Sequence, residues 1–522
     1  MKNIIIIWAG AAGLMAVATI LEGSPPEKTE FHIHLFEKNT SPGKKVIISG
    51  GGRCNVTTSI EDKKILAMKY TRGWEFIRKA IGKFSPRKCR EWFESHGVPL
   101  KIQDDLRVFP VSDDGRDIVG VFEDIFAKHR EKITLHYGEW ATQVSFISSE
   151  IEWSNADILG KYLSFSERIV STPAWVKSVP KRSSLHKDDK KEKNSENFFI
   201  TTKKWIYEAD ILIITTGGNA YSHMGSTGDG YAFARSLGHS VTELWPSLSS
   251  FLTREKWLHE LSGLAFEDAR IVIPAETRYP LSSLRSKDPS HRVGRDSRAE
   301  NDKMIELAWP LLLTHFGISW PLTFMTSSHL AFEKIGSKSV GNTWDTRMLS
   351  EQNPPALSDS PPSQGGYPIS LSPLSSMWCS EWEAFLKDQS QNHPKKLIVS
   401  ILSEKLPRRF ADAFVKEYFL YLETTFAGSI ARADQEKISK LLGDGIPITL
   451  LERRPGDEFV TAGGVNTDEL DPETMESRIH ENLYFAGEVL NVDGYTWGFS
   501  LQICWASGYA VGKSVWTKFF LN

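Results

Sequence analysis

The first 37 residues form the sequence pattern that most restricts the fold of this chain. Residues 3–7 are apolar and mostly β-branched, residues 11–21 favour a helix, and residues 31–36 alternate as a second strand. A strand, turn, helix and strand in this order predict a βαβ unit. We therefore expect an α/β fold of the Rossmann type, with a parallel sheet.

The turn of this unit has the sequence WAGAAG at residues 8–13, and Glu37 ends the second strand. In a dinucleotide-binding turn, Gly10 lets the backbone approach a pyrophosphate and Gly13 lets the helix pack on the strand. Glu37 stands where an acidic side chain accepts hydrogen bonds from ribose hydroxyls. The pattern predicts a nucleotide site, and an unliganded βαβ turn is the alternative.

Length and composition place the chain among ordinary globular proteins. Its 522 residues exceed one compact core, so we expect roughly two to four domains. A formal net charge of -3, with 24% charged residues, gives no sign of a nucleic-acid partner. The apolar stretch at residues 4–7 is too short to span a bilayer and no signal-like cleavage site follows, which predicts a cytoplasmic location without a membrane partner.

The four cysteines exclude two kinds of chemistry at the sequence level. They are too few for a disulfide framework, no pair has Cys-x-x-Cys spacing, and neither a local redox dithiol nor structural zinc is indicated. We interpret Cys54 as a small packed residue rather than a nucleophile.

A second motif, SGGGRCN at residues 49–55, follows Lys44 and Lys45. Consecutive glycines beside Arg53 and Asn55 suit backbone amides that wrap around an anionic or polar ligand. A flexible loop with a surface arginine is the alternative. Because a nucleotide fingerprint precedes this motif, we favour ligand contact.

Two further segments place glycines after predicted strands. TTGG at residues 215–218 ends one strand, and GSTGDG at 225–230 precedes a predicted helix over 231–237, in which Asp229 is most simply a helix cap. Near the C-terminus, TAGGV at 461–465 is followed by a short apolar strand that ends in Gly487 and Glu488. We expect the chain to return here to the first sheet, so that one nucleotide is held by both ends of the polypeptide.

Taken together, the fingerprint, SGGGRCN, GSTGDG, THFGIS at 314–319 and LYFAGEVL at 483–490 resemble the BaiN/RdsA family of FAD-dependent oxidoreductases, also called YhiN-type flavoproteins. The resemblance implies a discontinuous Rossmann-type FAD-binding domain with an inserted β-barrel-like domain and a helical domain. We place the FAD domain at 1–240 and 451–522, the barrel-like domain at 241–335, and a linker and helical domain at 336–450. Three polar stretches, 177–197, 285–303 and 350–376, lack an apolar period and are interpreted as loops or insertions.

The motifs and the resemblance together predict an FAD-dependent enzyme that acts on a small molecule and is reduced by transiently docked NADH or NADPH, because no second complete glycine fingerprint is present. We assign no metal and no catalytic residue, although His315 and, more weakly, His223 are candidates. Val144 at the adenine is implied by the resemblance alone. The predicted cofactor-binding residues are Gly10, Ala11, Ala12, Gly13, Glu37, Lys38, Lys45, Gly51, Gly52, Arg53, Cys54, Asn55, Val144, Gly217, Gly218, Gly487, Glu488, Asp493, Gly494, Ser500, Leu501 and Gln502.

Two other functions stay open at this stage. One is a flavin-binding redox sensor or assembly protein without turnover. The other is an RNA-modifying flavoenzyme, which the net charge opposes and the basic stretch at 177–193 keeps open. Some members of the resembled family reduce unsaturated steroid-like ketones, but a shared fold does not transfer that substrate.

Three tryptophans, Trp8, Trp320 and Trp497, stand where the family pattern has glycine. A tight turn that needs the conformational freedom of glycine accepts an indole only with strain of about 1 to 3 kcal/mol. We hypothesise that several of the 17 tryptophans are UGA codons that the source organism reads as glycine. A degenerate or flavin-free homologue is the alternative.

Overall fold

The computed structural model describes residues 1–23, 31–147, 197–274, 304–333, 335 and 366–521. The chain forms two compact units: the first comprises Met1–Leu244 and Gly463–Asn522, and the second comprises Trp245–Ala462. Within the described ranges, no helix combines the length and the apolar character needed to cross a bilayer. Most of the three polar stretches, namely 177–196, 285–303 and 350–365, lies outside the described residues.

The first unit is built on a five-stranded sheet in which every neighbouring pair is parallel. The side chains of Ile4 to Ile7, in the central strand, are fully buried. Continuous apolar runs are typical of parallel strands that are covered on both faces. In spatial order, the strands are Leu483–Phe485, Ile211–Ile214, Lys2–Ile7, Phe31–Glu37 and Ile133–Tyr137.

The two ends of the chain meet through helix packing in the first unit. The helix Ala11–Gly23 lies against the C-terminal helix Phe499–Trp516. A Cβ added to Gly508 would collide with the backbone of Ala12. Small residues at this crossing therefore allow the close approach that joins the C-terminal segment to the N-terminal sheet.

Smaller elements complete the first unit. A three-stranded antiparallel sheet contains Ala141–Ile147, Asn197–Thr202 and Ile206–Ala209. Short antiparallel pairings involve Thr57–Thr58, Leu100–Ile102 and Arg107–Pro110, and also Tyr70–Arg72 with Asp493–Gly494. The remaining α-helices described in this unit are Lys44–Ile48, Lys63–Ala67, Trp74–Lys83, Pro86–Ser95, Gly115–Lys128 and Asp229–Ser236.

The second unit contains a closed six-stranded barrel with antiparallel neighbours. In order around the barrel, the strands are Phe251–Thr253, Gly317–Ser319, Met304–Thr314, Ala265–Pro274, Tyr367–Ser372 and Ile446–Arg453. A separate pair joins Trp245–Ser247 to Val460–Ala462. The described α-helices of the second unit are Lys256–His259, Pro321–His329, Cys379–Asn392, Ile398–Leu402, Arg408–Tyr418 and Arg432–Gly443. The predicted fold class is confirmed, and the finer four-segment division stays a prediction.

The interpretation of residues 350–376 as a loop is wrong at its C-terminal end. Tyr367–Ser372 is a barrel strand that pairs on one side with Ala265–Pro274 and on the other with Ile446–Arg453. Ile369 and Leu371 alternate into the core. Two apolar residues among serines and prolines give too short a period-two pattern to indicate a strand by themselves.

Candidate functional site

The segments with the predicted site motifs follow strands of the parallel sheet. Residues 8–13 follow Lys2–Ile7, residues 215–218 follow Ile211–Ile214, and Gly487 lies two residues after Leu483–Phe485. The carboxyl ends of parallel strands lie at one edge of the sheet, so these segments lie there together. The chain continues from the central strand to neighbours on both sides, which makes this edge a topological switch point, where open α/β sheets bind ligands.

Hydrogen bonds fix the fingerprint turn at this edge. Thr215 Oγ1 donates to the carbonyl oxygens of Ile7 at 2.9 Å and Trp8 at 2.8 Å. A Cβ added to Gly13 would collide with the Trp8 carbonyl, whereas a Cβ added to Gly10 would have no neighbour within 4 Å. Gly13 is thus required by packing, and the backbone at Gly10 borders open space.

The helix after this turn begins at Ala11 and continues through Ala12. The first-turn N–H groups of a helix have no intrahelical acceptors, and the helix dipole adds partial positive charge there. This end of the helix therefore favours an anionic group such as a phosphate.

Glu37 lies at the end of its strand with 3% of its surface exposed. Its carboxylate accepts hydrogen bonds from Ala9 N at 3.1 Å, Asn39 N at 2.8 Å and Asn39 Nδ2 at 2.7 Å. Burial raises the pKa of Glu37, while these hydrogen bonds and the nearby Lys44 partly oppose the shift. Sequence reasoning missed Asn39, although an amide two residues after the acid was a usable signal.

Lys38 connects this strand end to the GSTGDG segment. Its ammonium donates to Thr227 Oγ1 at 3.0 Å and lies 3.6 Å from the Asp229 carboxylate. The cap interpretation of Asp229 is wrong: Gly228 is the N-cap residue, and Asp229 lies in the first turn of the helix. Asp229 balances the charge of Lys38 instead.

Gly217 and Gly218 occupy the neighbouring strand end. Gly217 has a φ of 71°, a left-handed value that glycine adopts without strain. The turn after this strand therefore depends on glycine, as the TTGG motif predicts.

The three glycines of the SGGGRCN loop have left-handed backbone, with φ of 59° at Gly50, 74° at Gly51 and 90° at Gly52. A Cβ added to Gly51 or Gly52 would have no neighbour within 4 Å, so both border open space. The Arg53 guanidinium lies 4.1 Å from the centre of the Phe109 ring. Asn55 is buried, and its Oδ1 accepts from Val108 N at 3.3 Å.

Cys54 is fully buried at the end of this loop. Burial raises the pKa of its thiol to about 12, against a smaller opposing effect of a hydrogen bond with Ser49. The thiol is therefore protonated at neutral pH and unsuited to nucleophilic attack.

Lys45 and Glu488 join the two distant parts of the predicted site. The Lys45 ammonium donates to the Glu488 carboxylate at 2.8 Å, across a separation of 443 residues. Gly487, with a φ of 83°, donates its N–H to Ser507 Oγ at 2.9 Å. The predicted return of the chain to the first sheet thus brings two predicted site residues into direct contact.

Two of the remaining predicted cofactor-binding residues, Asp493 and Gln502, have their side chains bound to other residues of the protein. Asp493 forms a buried ion pair with Arg72, a residue that sequence reasoning missed because nothing near it in sequence marks its partner. Gln502 is fully buried: its Oε1 accepts from Thr57 Oγ1 at 2.6 Å and its Nε2 donates to the Phe84 carbonyl at 2.7 Å. The side chains of Asp493 and Gln502 therefore form buried contacts within the protein.

Gly494 follows Asp493 in a short strand, and Ser500 and Leu501 lie in the first turn of the C-terminal helix. Val144 is buried in the antiparallel strand Ala141–Ile147, and its carbonyl accepts from Ser236 Oγ at 3.2 Å. The two candidate histidines, His223 in the first unit and His315 in the second, are both exposed.

Three curated proteins resemble this chain along almost its whole length. The 3-dehydro-bile acid delta(4,6)-reductase of Clostridium scindens is 23% identical, over 98% of this chain and 99% of that protein. The ribosomal RNA dihydrouridine synthase of Escherichia coli is 24% identical, over 98% and 97%. The protein of the same name from Haemophilus influenzae is 23% identical, over 98% of both chains.

Among solved structures, a quinol fumarate reductase FrdA variant of Escherichia coli overlaps with a TM-score of 0.41 and 13% identity, over 100% of this chain and 71% of that one. The profile described as HI0933-like protein Rossmann domain matches residues 2–163 and 165–514. The predicted resemblance is thereby confirmed, and the chain belongs to this Rossmann family of flavoprotein oxidoreductases.

Proposed function

We propose that this protein binds FAD at the switch-point edge of the parallel sheet and uses it to reduce a small molecule, with NADH or NADPH as the electron donor. The Lys45–Glu488 ion pair is the main support, because it ties the N-terminal and C-terminal motifs together at that edge. Bound flavin supplies the hydride chemistry, and the protein supplies binding and orientation.

The residues at this edge fit an adenine-linked flavin in charge and in space. The positive charges of Lys38, Lys45 and Arg53 at this edge are balanced by acidic partners, so the N-terminus of the helix that begins at Ala11 is the main attraction for a pyrophosphate. The buried Glu37 carboxylate provides acceptors for ribose hydroxyls. The backbone borders open space at Gly10, Gly51 and Gly52, as close approach of a ligand requires. The poor fit is Trp8, which is buried beside the fingerprint turn.

We propose reduction of a carbon–carbon double bond conjugated to a carbonyl group as the reaction class. The names of the relatives, a delta(4,6)-reductase and a dihydrouridine synthase, both denote saturation of such a bond. The reaction adds one hydride and one proton across the double bond, and the two electrons come from NADH or NADPH. A ribosomal RNA substrate is the second candidate, and the names of two relatives favour it.

The first test is the absorbance spectrum of the purified chain and of its Trp8→Gly variant, each dialysed against FAD. We expect a flavin spectrum that persists after gel filtration of the variant, and its bleaching by NADH or NADPH without oxygen. Reoxidation is then followed with a 3-keto-4-ene steroid and with a ribosomal RNA fragment. If neither NADH nor NADPH reduces the bound flavin, the proposed enzymatic activity is contradicted and a redox sensor is favoured. Reoxidation of the reduced flavin by the RNA fragment alone would favour the ribosomal RNA substrate.

A further inference from the structure

Three tryptophans have backbone conformations that separate them from the other residues of the described chain. Trp8 has a φ of 87°, and Trp320 and Trp497 each have a φ of 80°. The other non-glycine residues with positive φ lie between 56° and 67°, which is the ordinary left-handed helical range. No further tryptophan in the described ranges has positive φ.

Trp320 is the clearest of the three. It precedes the helix Pro321–His329 as the N-cap residue, with φ of 80° and ψ of -179°. This region of φ and ψ is essentially restricted to glycine, because a Cβ atom clashes with the flanking backbone there. The indole is 44% exposed, so the strain is not offset by full burial of the side chain.

Trp497 lies immediately before Gly498, which has a φ of 88° and is the N-cap residue of the helix Phe499–Trp516. Two successive left-handed residues form a sharp turn before that helix. Such a turn is accessible to paired glycines and is strained for a residue with a bulky aromatic side chain.

Trp8 combines the same backbone with an obstruction of the proposed nucleotide site. It occupies the first position of the fingerprint turn, and only 6% of its surface is exposed. Its Cη2 atom lies 3.5 Å from the point where a Cβ of Gly225 would be, and Lys38 Nζ lies 5.8 Å from the ring centre. The indole therefore fills space between the fingerprint turn and the GSTGDG segment.

We infer that positions 8, 320 and 497 are glycine in the polypeptide that the source cell makes, encoded by UGA codons read as glycine, and that the nucleotide site is open only in that form. The backbone conformations carry the glycine assignment independently of any ligand. The opening of the site rests on the proposed function.

A matched pair of substitutions tests the backbone argument without flavin. Trp378 is also a helix N-cap residue and is 39% exposed, but its φ is -84°. We expect Trp320→Gly to leave a higher midpoint of thermal unfolding than Trp378→Gly, because both remove a similarly exposed indole and only Trp320→Gly relieves backbone strain. Trp378→Gly should lower the midpoint, because the Arg270 guanidinium lies 3.5 Å from that ring centre. If both variants lower the midpoint equally, the inference is wrong.

The direct test combines the gene with the native polypeptide. UGA codons at the three positions and glycine in the corresponding peptides, measured by mass spectrometry of protein from the source cell, are the expected result. UGG codons, or tryptophan in any of these peptides, would overturn it. We also expect Trp8→Gly to bind FAD at least about tenfold more tightly than the parent chain, the affinity ratio that about 1.4 kcal/mol gives. If the native peptides contain glycine but the Trp8→Gly chain takes up no FAD, the glycine assignment is supported. The inference that glycine opens the nucleotide site, and the proposed function, are then both overturned.

Discussion

Both units of this protein hold charged side chains in partly or fully buried positions, but they use them differently. In the first unit, Glu37, Lys38 and Lys45 lie at the sheet edge, beside backbone that borders open space. In the second, buried Arg453 donates to backbone carbonyls, and buried Arg270 donates to two side chains and one carbonyl, all within their own unit. Burial of charge therefore does not by itself mark a site, and we propose that charge beside unfilled space at a strand end is the distinguishing feature.

The largest expected effect tests the structural role in the second unit. Arg270 donates to Ser372 Oγ, to the Gly443 carbonyl and to Glu306. We expect Arg270→Met to lower the free energy of unfolding by about 3 to 5 kcal/mol, because it breaks the ion pair with Glu306 and removes two buried hydrogen bonds of the guanidinium. Urea denaturation measures this change. In the chain with glycine at positions 8, 320 and 497, FAD content per folded chain should be the same with and without Arg270→Met, and its loss would break the distinction between the units.

The next effect concerns a histidine cluster in the sheet of the first unit. His34 Nδ1 lies 3.1 Å from His136 Nε2, and burial, reinforced by His136 and His32, lowers the pKa of His34 to about 3. The unfolded chain therefore takes up this proton first as the pH falls. The stabilisation is complete above about pH 6.5 and is lost towards pH 3, by about 1.4 kcal/mol per pH unit.

Unfolding free energies measured between pH 7 and pH 4.5 test this titration. His34→Phe should flatten the pH dependence, since the replacement keeps an aromatic ring beside Tyr207 and removes the titrating group. His393→Phe, at an exposed position of the second unit, should leave it as steep as in the parent chain. Equal slopes for parent and His34→Phe would contradict this account.

A smaller effect separates ligand binding from folding. We expect Glu37→Gln to weaken FAD binding by about 10-fold to 100-fold, because a hydrogen bond to a carboxylate contributes roughly 1.5 to 3 kcal/mol. Glu306→Gln, which removes the partner of Arg270 in the second unit, should lower the unfolding free energy and leave FAD affinity unchanged. Fluorescence titration with FAD, in the chain with glycine at positions 8, 320 and 497, measures both affinities. Similar losses of affinity in the two variants would refute the comparison.

The smallest effect is the coupling across the first unit. A double-mutant cycle of Lys45→Met and Glu488→Gln should give a coupling of about 0.5 to 1 kcal/mol in unfolding, since this pair is partly exposed. The fully local pair Arg432 and Glu436, on one exposed helix face of the second unit, should couple by about 0.3 to 0.5 kcal/mol. A coupling of zero between Lys45 and Glu488 would contradict the claim that this ion pair joins the N-terminal and C-terminal motifs.

Local patterns were enough to predict the elements that use glycine or apolar periodicity. The βαβ unit and the glycine-rich loop could be predicted because each depends on neighbouring residues, and the C-terminal return was indicated by its short apolar strand that ends in Gly487 and Glu488. The sequence did not reveal the Arg72–Asp493 pair, the buried Arg270 or the His34–His136 contact, because their partners come from distant segments that only the tertiary fold brings together. The strand Tyr367–Ser372 was missed since barrel closure, rather than local pattern, determines it.

Hydrogen exchange with and without FAD tests the central claim most directly, namely that two remote stretches of the chain hold one flavin. The measurement uses the chain with glycine at positions 8, 320 and 497. Added FAD should slow exchange in peptides that cover residues 8–14, 49–55 and 486–492, and should leave the barrel strand Ala265–Pro274 unchanged. Unchanged exchange in the C-terminal peptide, or in all three peptides, would contradict the account.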